Sequence, residues 1–280
     1  MRYYSKKLQV ALSVLFLFIG YVSIAQEAKD SLSGEKKLLP KVEHAEPLFN
    51  DLMRDLGARK GEAEFNMGFG VADHKHYNEY FGFIEYEWAV ANRLGVEVEI
   101  PFSFNSKEKG IGNQMIPNNR IEGIKLATQY TFLVNEKAQT SMAVAYIHEF
   151  EMNYLKKLDG DGKFFTGMRM NPILVVAKKF NNFNAMVFGG PVFENTFDTG
   201  ETCVLGTINA SLLYVLPNSK NFIGIENNID FRQDRFQYVL HPQIKVALLH
   251  NLAVGFVTGI PLSSYKEMKM DFLTRIIWEP

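Results

Sequence analysis

The sequence predicts an all-β chain: a single transmembrane antiparallel β-barrel of about twelve strands, preceded by a short amphipathic helix. Three observations predict it. From Glu62 onward, apolar and polar residues alternate in strand-length runs, the period of a sheet with two unlike faces. An apolar N-terminal stretch closes on small residues, as export signals do. The links between runs are short and long by turns, and outer-membrane barrels pair short periplasmic turns with longer external loops.

Taken in order, residues 1–25 carry Arg2, Lys6 and Lys7, then an apolar run from Leu8 to Ile24. Ser23-Ile24-Ala25 supplies small residues at −3 and −1, which predicts cleavage after Ala25 and delivery to the outer membrane. No cysteine follows the apolar run, which argues against a lipoprotein. Cys203 is the only cysteine, so an intramolecular disulfide is excluded. Loss of 1–25 removes three cations and no anions and takes the formal net charge from -1 to about −4. That balance, with no basic tract, excludes a nucleic-acid partner. After residue 25 no apolar run reaches the ~20 residues of a membrane helix. Yet aromatics make up 13% of the chain, with 23 Phe and 12 Tyr, which suits strands that face lipid.

Residues 26–61 form a leader. Gln26 to Val42 is polar and aperiodic. From His44 to Gly57 the apolar residues, Leu48, Leu52 and Leu56 among them, fall at helical spacing, with Pro47 suited to a helix start and Gly57 to its stop. This stripe has no soluble domain to bury it. It is expected to act as a plug or as a periplasmic arm, with Arg54, Arg59 and Lys60 available to meet acidic groups.

The barrel proper, 62–280, is best read from Glu79 to Phe104. A turn at Ala91-Asn92-Arg93 sets Tyr80, Ile84, Tyr86 and Trp88 on one face with Val96, Val98 and Ile100. It also sets Glu87 opposite Glu97 and Glu85 opposite Glu99. Directly opposed like charges are unfavourable, so that face must be wet or must meet cations. Further runs continue the pattern through Arg120–Leu133, Ala138–Phe150, Lys163–Phe180, Phe183–Phe197, Thr202–Leu216, Phe222–Arg232, Gln237–His250, Leu252–Ser263 and Met270–Glu279.

The stretch His44-Ala45-Glu46-Pro47-Leu48-Phe49-Asn50-Asp51 resembles the signature of a family of Bacteroidota envelope proteins named after its HAEPLYID motif. His44 to Leu48 match; Phe49 stands for Tyr and Asn50 for Ile. The residues that follow, RDLGARKGE, and the EYEW…NRLGVEVEIPFSF hairpin are also similar. The resemblance implies a barrel-like envelope protein and brings no substrate or catalytic residue.

The chemistry-bearing residues are expected in the lumen: Glu85, Glu87, Glu97, Glu99, Glu226 and Asp230, balanced by Lys125, Arg169, Lys245 and Arg275. Polar interiors are normal for such barrels. No cofactor or metal is expected. Asp159-Gly160-Asp161-Gly162 fails as a calcium loop, because Phe164 and Met170 occupy the glycine and bidentate-glutamate positions. His74 and His76 lack a third ligand. A barrel lipid hydrolase would need Ser, His and an orienting group in reach; Ser141 and His148 lie on opposite parities, and Ser211 and His241 meet only under a particular register. The reading is therefore a porin-like channel for small polar solutes, whose partners are outer-membrane lipid and the barrel-assembly machinery. A barrel hydrolase, a non-conducting structural barrel and a soluble periplasmic β-protein are the alternatives.

Overall fold

A computed structural model describes residues 38–107, 116–154, 163–232, 235–263 and 267–280. The signal segment, the leader as far as Lys37 and the Asp159–Gly162 turn lie outside the described residues. Lys41–Pro280 forms one compact unit.

Thirteen strands make it: β1 (Ala63–His74), β2 (Tyr77–Ala91), β3 (Leu94–Lys107), β4 (Arg120–Ile121), β5 (Gly123–Asn135), β6 (Thr140–Met152), β7 (Phe165–Phe180), β8 (Phe183–Thr196), β9 (Thr202–Val215), β10 (Phe222–Arg232), β11 (Arg235–Leu249), β12 (Leu252–Ser263) and β13 (Met268–Trp278). Apart from β4 and β5, each pairs antiparallel with its sequence neighbours, β13 returns to β1, and the sheet is closed. The two-residue β4 and β5 both pair with β3 and occupy one place in the wall, so the barrel has twelve strand positions. An even number brings the end of β13 back beside the start of β1, where Trp278 is level with Phe65.

The β2–β3 hairpin has the register that its alternation demands: Glu87 faces Glu97 and Glu85 faces Glu99. Closure turns one parity of every strand outward. Phe69, Ile84, Val98, Ile100, Leu174, Val187, Ile208, Leu212, Phe256 and Phe272 are exposed there, while the glutamates of the hairpin are buried on the other side. A belt of large apolar side chains around a polar interior is the solvent arrangement of a transmembrane barrel. Trp88 and Trp278 are exposed near the tight-turn ends of β2 and β13, the level at which amphipathic rings prefer to lie. The tight β7–β8 turn is made at Asn181, whose φ of 53° is the left-handed conformation that asparagine tolerates.

The leader departs from expectation. Residues 44–57 are described and contain bends and turns but no helix. The apolar spacing is real, yet the backbone finds other partners. The N–H groups of Ala45, Leu48, Phe49, Asn50 and Gly57 donate to side chains of the wall: Asn184, Gln243, Glu226 (twice) and Thr131. The carbonyl of Arg54 accepts from Gln129. Helical hydrogen bonds are the default only where nothing else satisfies the backbone; here a polar wall surrounds it.

Candidate functional site: a lumen occupied by the leader

The contacts of residues 41–61 fix its place. Arg54 pairs with Glu64 on β1 and Glu87 on β2, at 3.3 and 3.5 Å. Gly57 meets Thr131 on β5, His44 meets Ser141 on β6, and Ala45 meets Asn184 on β8. Asn50 Nδ2 donates to Asn209 on β9 and its N–H to Glu226 on β10. Leu48 donates to Gln243 on β11, and Asp51 pairs with Arg275 on β13. Leu52, Met53 and Leu56 pack with Ile173, Val175 and Ala177 of β7. A segment that touches strands all round a closed wall lies inside it.

The wall is shaped for this. At Gly95 of β3 an added Cβ would collide with the Arg54 side chain, and at Gly255 of β12 with Leu48. Inward positions on β5 to β7 are small, with Ala127, Ala143, Ala145 and Ala177 buried against Leu52, Met53 and Leu56. Leu48, Leu52 and Leu56 are each 1–2% exposed. Burying each stabilises the segment by roughly 1.5–3 kcal/mol, more than the roughly 0.5–1.5 kcal/mol of a typical net hydrogen bond. Apolar packing therefore holds the segment in place, and the polar contacts fix its conformation.

Charges within the segment are tuned by the same enclosure. Burial works against the Lys41 ammonium, but Asp55 and Glu62, at 2.9 and 2.8 Å, outweigh it and hold its pKa above the ordinary value. Burial likewise opposes the Asp55 charge, yet Arg54 and Lys41 keep its carboxyl below the usual range. His44 is pushed the other way, first by burial and then by Lys179, to about 4. Burial and the nearby Asp55 raise Glu46 well above an ordinary carboxyl.

The lumen residues form separate groups. Arg275 donates to Glu85 (2.8 Å) and Asn66 (3.3 Å), lies 3.9 Å from Glu87, and pairs with Asp51. Lys125 pairs with Glu99 and lies 3.5 Å from Glu97. Arg169 does not reach these glutamates; it meets Glu149 and Glu194. Lys245 lies 5.8 Å over the Phe222 ring. Glu226 holds the Phe49 and Asn50 backbone, and Asp230 lines the open half of the lumen. Among the described residues of the leader, Arg54 pairs with Glu87 of the hairpin, and the Lys60 N–H meets Asn92 at 3.1 Å. Oxygens of Glu85, Glu97 and Glu99 converge within 4.8 Å of one another, but Arg275 and Lys125 supply the positive charge there. Ser141 Oγ and His44 Nε2 lie 3.0 Å apart. Ser141 is fully buried and His44 Nδ1 has no hydrogen-bond partner, so neither access nor an orienting acid accompanies the pair.

Alternation put Glu226 in the lumen but gave no sign that it, or Gln129, Thr131 and Gln243, receives the leader. The one available signal was the set of inward alanines on β5 to β7, which leaves a void only a second element can fill.

Two of the remaining cavities measure about 490 and 500 Å³. One opens toward the long-loop end, above Phe49, Asn50 and Asp51. The other lies toward the tight turns, around Lys41 to Leu48. Asp51 is the one residue that lines both.

The model of the HAEPLYID-like family matches residues 40–279. The chain belongs to that family. No curated protein matches its sequence. Among solved structures, the HAEPLYID-like barrel is similar to the COG4313 outer membrane channel from Pseudomonas putida F1 (TM-score 0.60, 11% identity, covering 87% of this chain and 100% of that one). It is also similar to the KdgM porin (0.52, 11%, 77% and 98%) and the NanC porin (0.52, 9%, 77% and 99%). At these identities the likeness is one of fold: the HAEPLYID-like chain resembles outer-membrane channels and porins.

Proposed function

We propose that this protein is an outer-membrane channel for small polar solutes, and that residues 41–61 plug it from the periplasmic side, where the tight turns lie. The observation that carries the reading is the pair of cavities within one closed wall, parted by a segment that joins the wall only at its end. The fold it shares with channels and porins supports it. An ordinary barrel interior filled by its own wall would leave no such spaces.

Conductance in planar bilayers tests it. Deleting residues 26–57 should leave a barrel that still inserts, and conductance should rise severalfold over the full chain. A deletion that inserts with conductance unchanged would show that the segment does not occlude, and a silent one would remove the channel reading.

A further inference from the structure

We infer that Asp51 is the selectivity point of this channel and that the solutes passing it are small cations, inorganic or ammonium-bearing; the inference rests on the channel reading above. The position of Asp51 is the first support. It lines both cavities, and no other residue lines both. Its side chain is 18% exposed, although it is paired with Arg275. Arg275 does not depend on it: Glu85, Glu87, Asn66 and the Phe83 ring, centred 5.3 Å away, hold the guanidinium from the wall. Asp51 is thus the only carboxylate of this group carried by the leader, and the group keeps its cation when Asp51 lets go.

Charge decides which solutes suit the path. Seven carboxylates line the long-loop cavity against two strong bases, Lys125 and Arg169. Counting the adjacent Arg275 still leaves an excess of four. Low-dielectric walls focus such a field and enrich counter-ions within it, and rings of acidic side chains select cations in channels.

A separate observation points to a donor-bearing occupant. Glu97 and Asp271 line this cavity and are 4% and 3% exposed. Glu97 Oε1 and Asp271 Oδ1 are buried acceptors that receive no hydrogen bond. Lys125, 3.5 Å from Glu97 Oε1, is turned to Glu99 instead. Buried acceptors are satisfied in the great majority of cases, and these two leave negative potential at the cavity wall that favours an ammonium or a hydrated cation.

The test is the reversal potential of the full-length protein in planar bilayers under a KCl gradient, with heat-modifiable mobility confirming that each variant is folded. Wild type should favour potassium over chloride by about threefold or more. Asp51→Asn should raise conductance and at least halve that preference, and Glu97→Gln should reduce the preference by a smaller factor. Chloride preference in the wild type, or an Asp51→Asn channel with unaltered current and selectivity, overturns the inference and leaves the channel reading intact. Absence of current from the wild type, both variants and the 26–57 deletion overturns the channel reading, and this inference falls with it.

Discussion

The wall and the segment it encloses solve the same problem in opposite ways. In the wall, backbone groups pair with backbone groups, so the ladder survives most side-chain changes, and side chains matter by the face they occupy. In residues 41–61 the N–H groups of Ala45, Leu48, Phe49, Asn50 and Gly57 are satisfied by side chains of the wall. There, one substitution in a strand can orphan a backbone group in a segment far away in sequence. The wall should thus be sensitive to polarity on its outer face, and the enclosed segment to single polar residues on the inner one.

The largest effect should come from the outer face. Val98 is 40% exposed and Glu97, its neighbour, 4%. Val98→Arg should cost about 2–4 kcal/mol at the membrane midplane and block assembly, whereas Glu97→Gln should assemble normally. Heat-modifiable mobility after refolding into vesicles reads both. Equal tolerance would break the distinction between faces.

Glu226 tests the inner face. Its two oxygens accept from the Phe49 and Asn50 N–H groups and from Asn228 and Gln243. Glu226→Gln sets an NH₂ group against donors and should weaken docking of the segment by about 2–3 kcal/mol. Protease should then cut within residues 41–61 while the barrel stays folded. If the barrel is lost with the segment, the two are not separable as described.

Between pH 4 and 8, His44 and Glu46 should act on docking of the segment with opposite sign. His44 has its pKa lowered to about 4 from 6.5, so its contribution to docking is complete above pH 6.5 and is lost as pH falls toward 4. Glu46 is raised, so the docked form holds the extra proton and acidification favours it. Relative to wild type, His44→Gln should therefore dock more firmly near pH 5, by roughly tenfold after allowance for partial exposure. Glu46→Gln should dock more firmly at neutral pH and gain nothing on acidification. Protection of residues 41–61 from protease across pH 4–8 measures both, and parallel shifts in the two variants would contradict the assignment.

The smallest change expected is at Thr131, whose hydroxyl accepts from the Gly57 N–H at 3.0 Å. Thr131→Val keeps shape and β-branching and should cost about 1 kcal/mol of docking, with no effect on barrel assembly. Protease protection at the rim residues would report it.

What could be read from the sequence follows from this division. A period of two belongs to single strands, and a turn fixes the register of the hairpin it joins. The outward belt, the facing pairs Glu85/Glu99 and Glu87/Glu97 and the twelve wall positions were therefore set by residues near one another in the chain. The leader was different. Its stripe of Leu48, Leu52 and Leu56 fits a helix as long as the remaining backbone must satisfy itself. Closure of the barrel brings Asn184, Glu226, Gln243 and Thr131 around it and removes that condition. Which carboxylate meets which cation was likewise open: Arg275 on the last strand reaches Glu85 on the second because β13 pairs with β1. Local alternation determined the wall; only closure decided what the wall encloses, because the contacts that seat the lumen segment on β5 to β13 join residues that the sequence keeps apart.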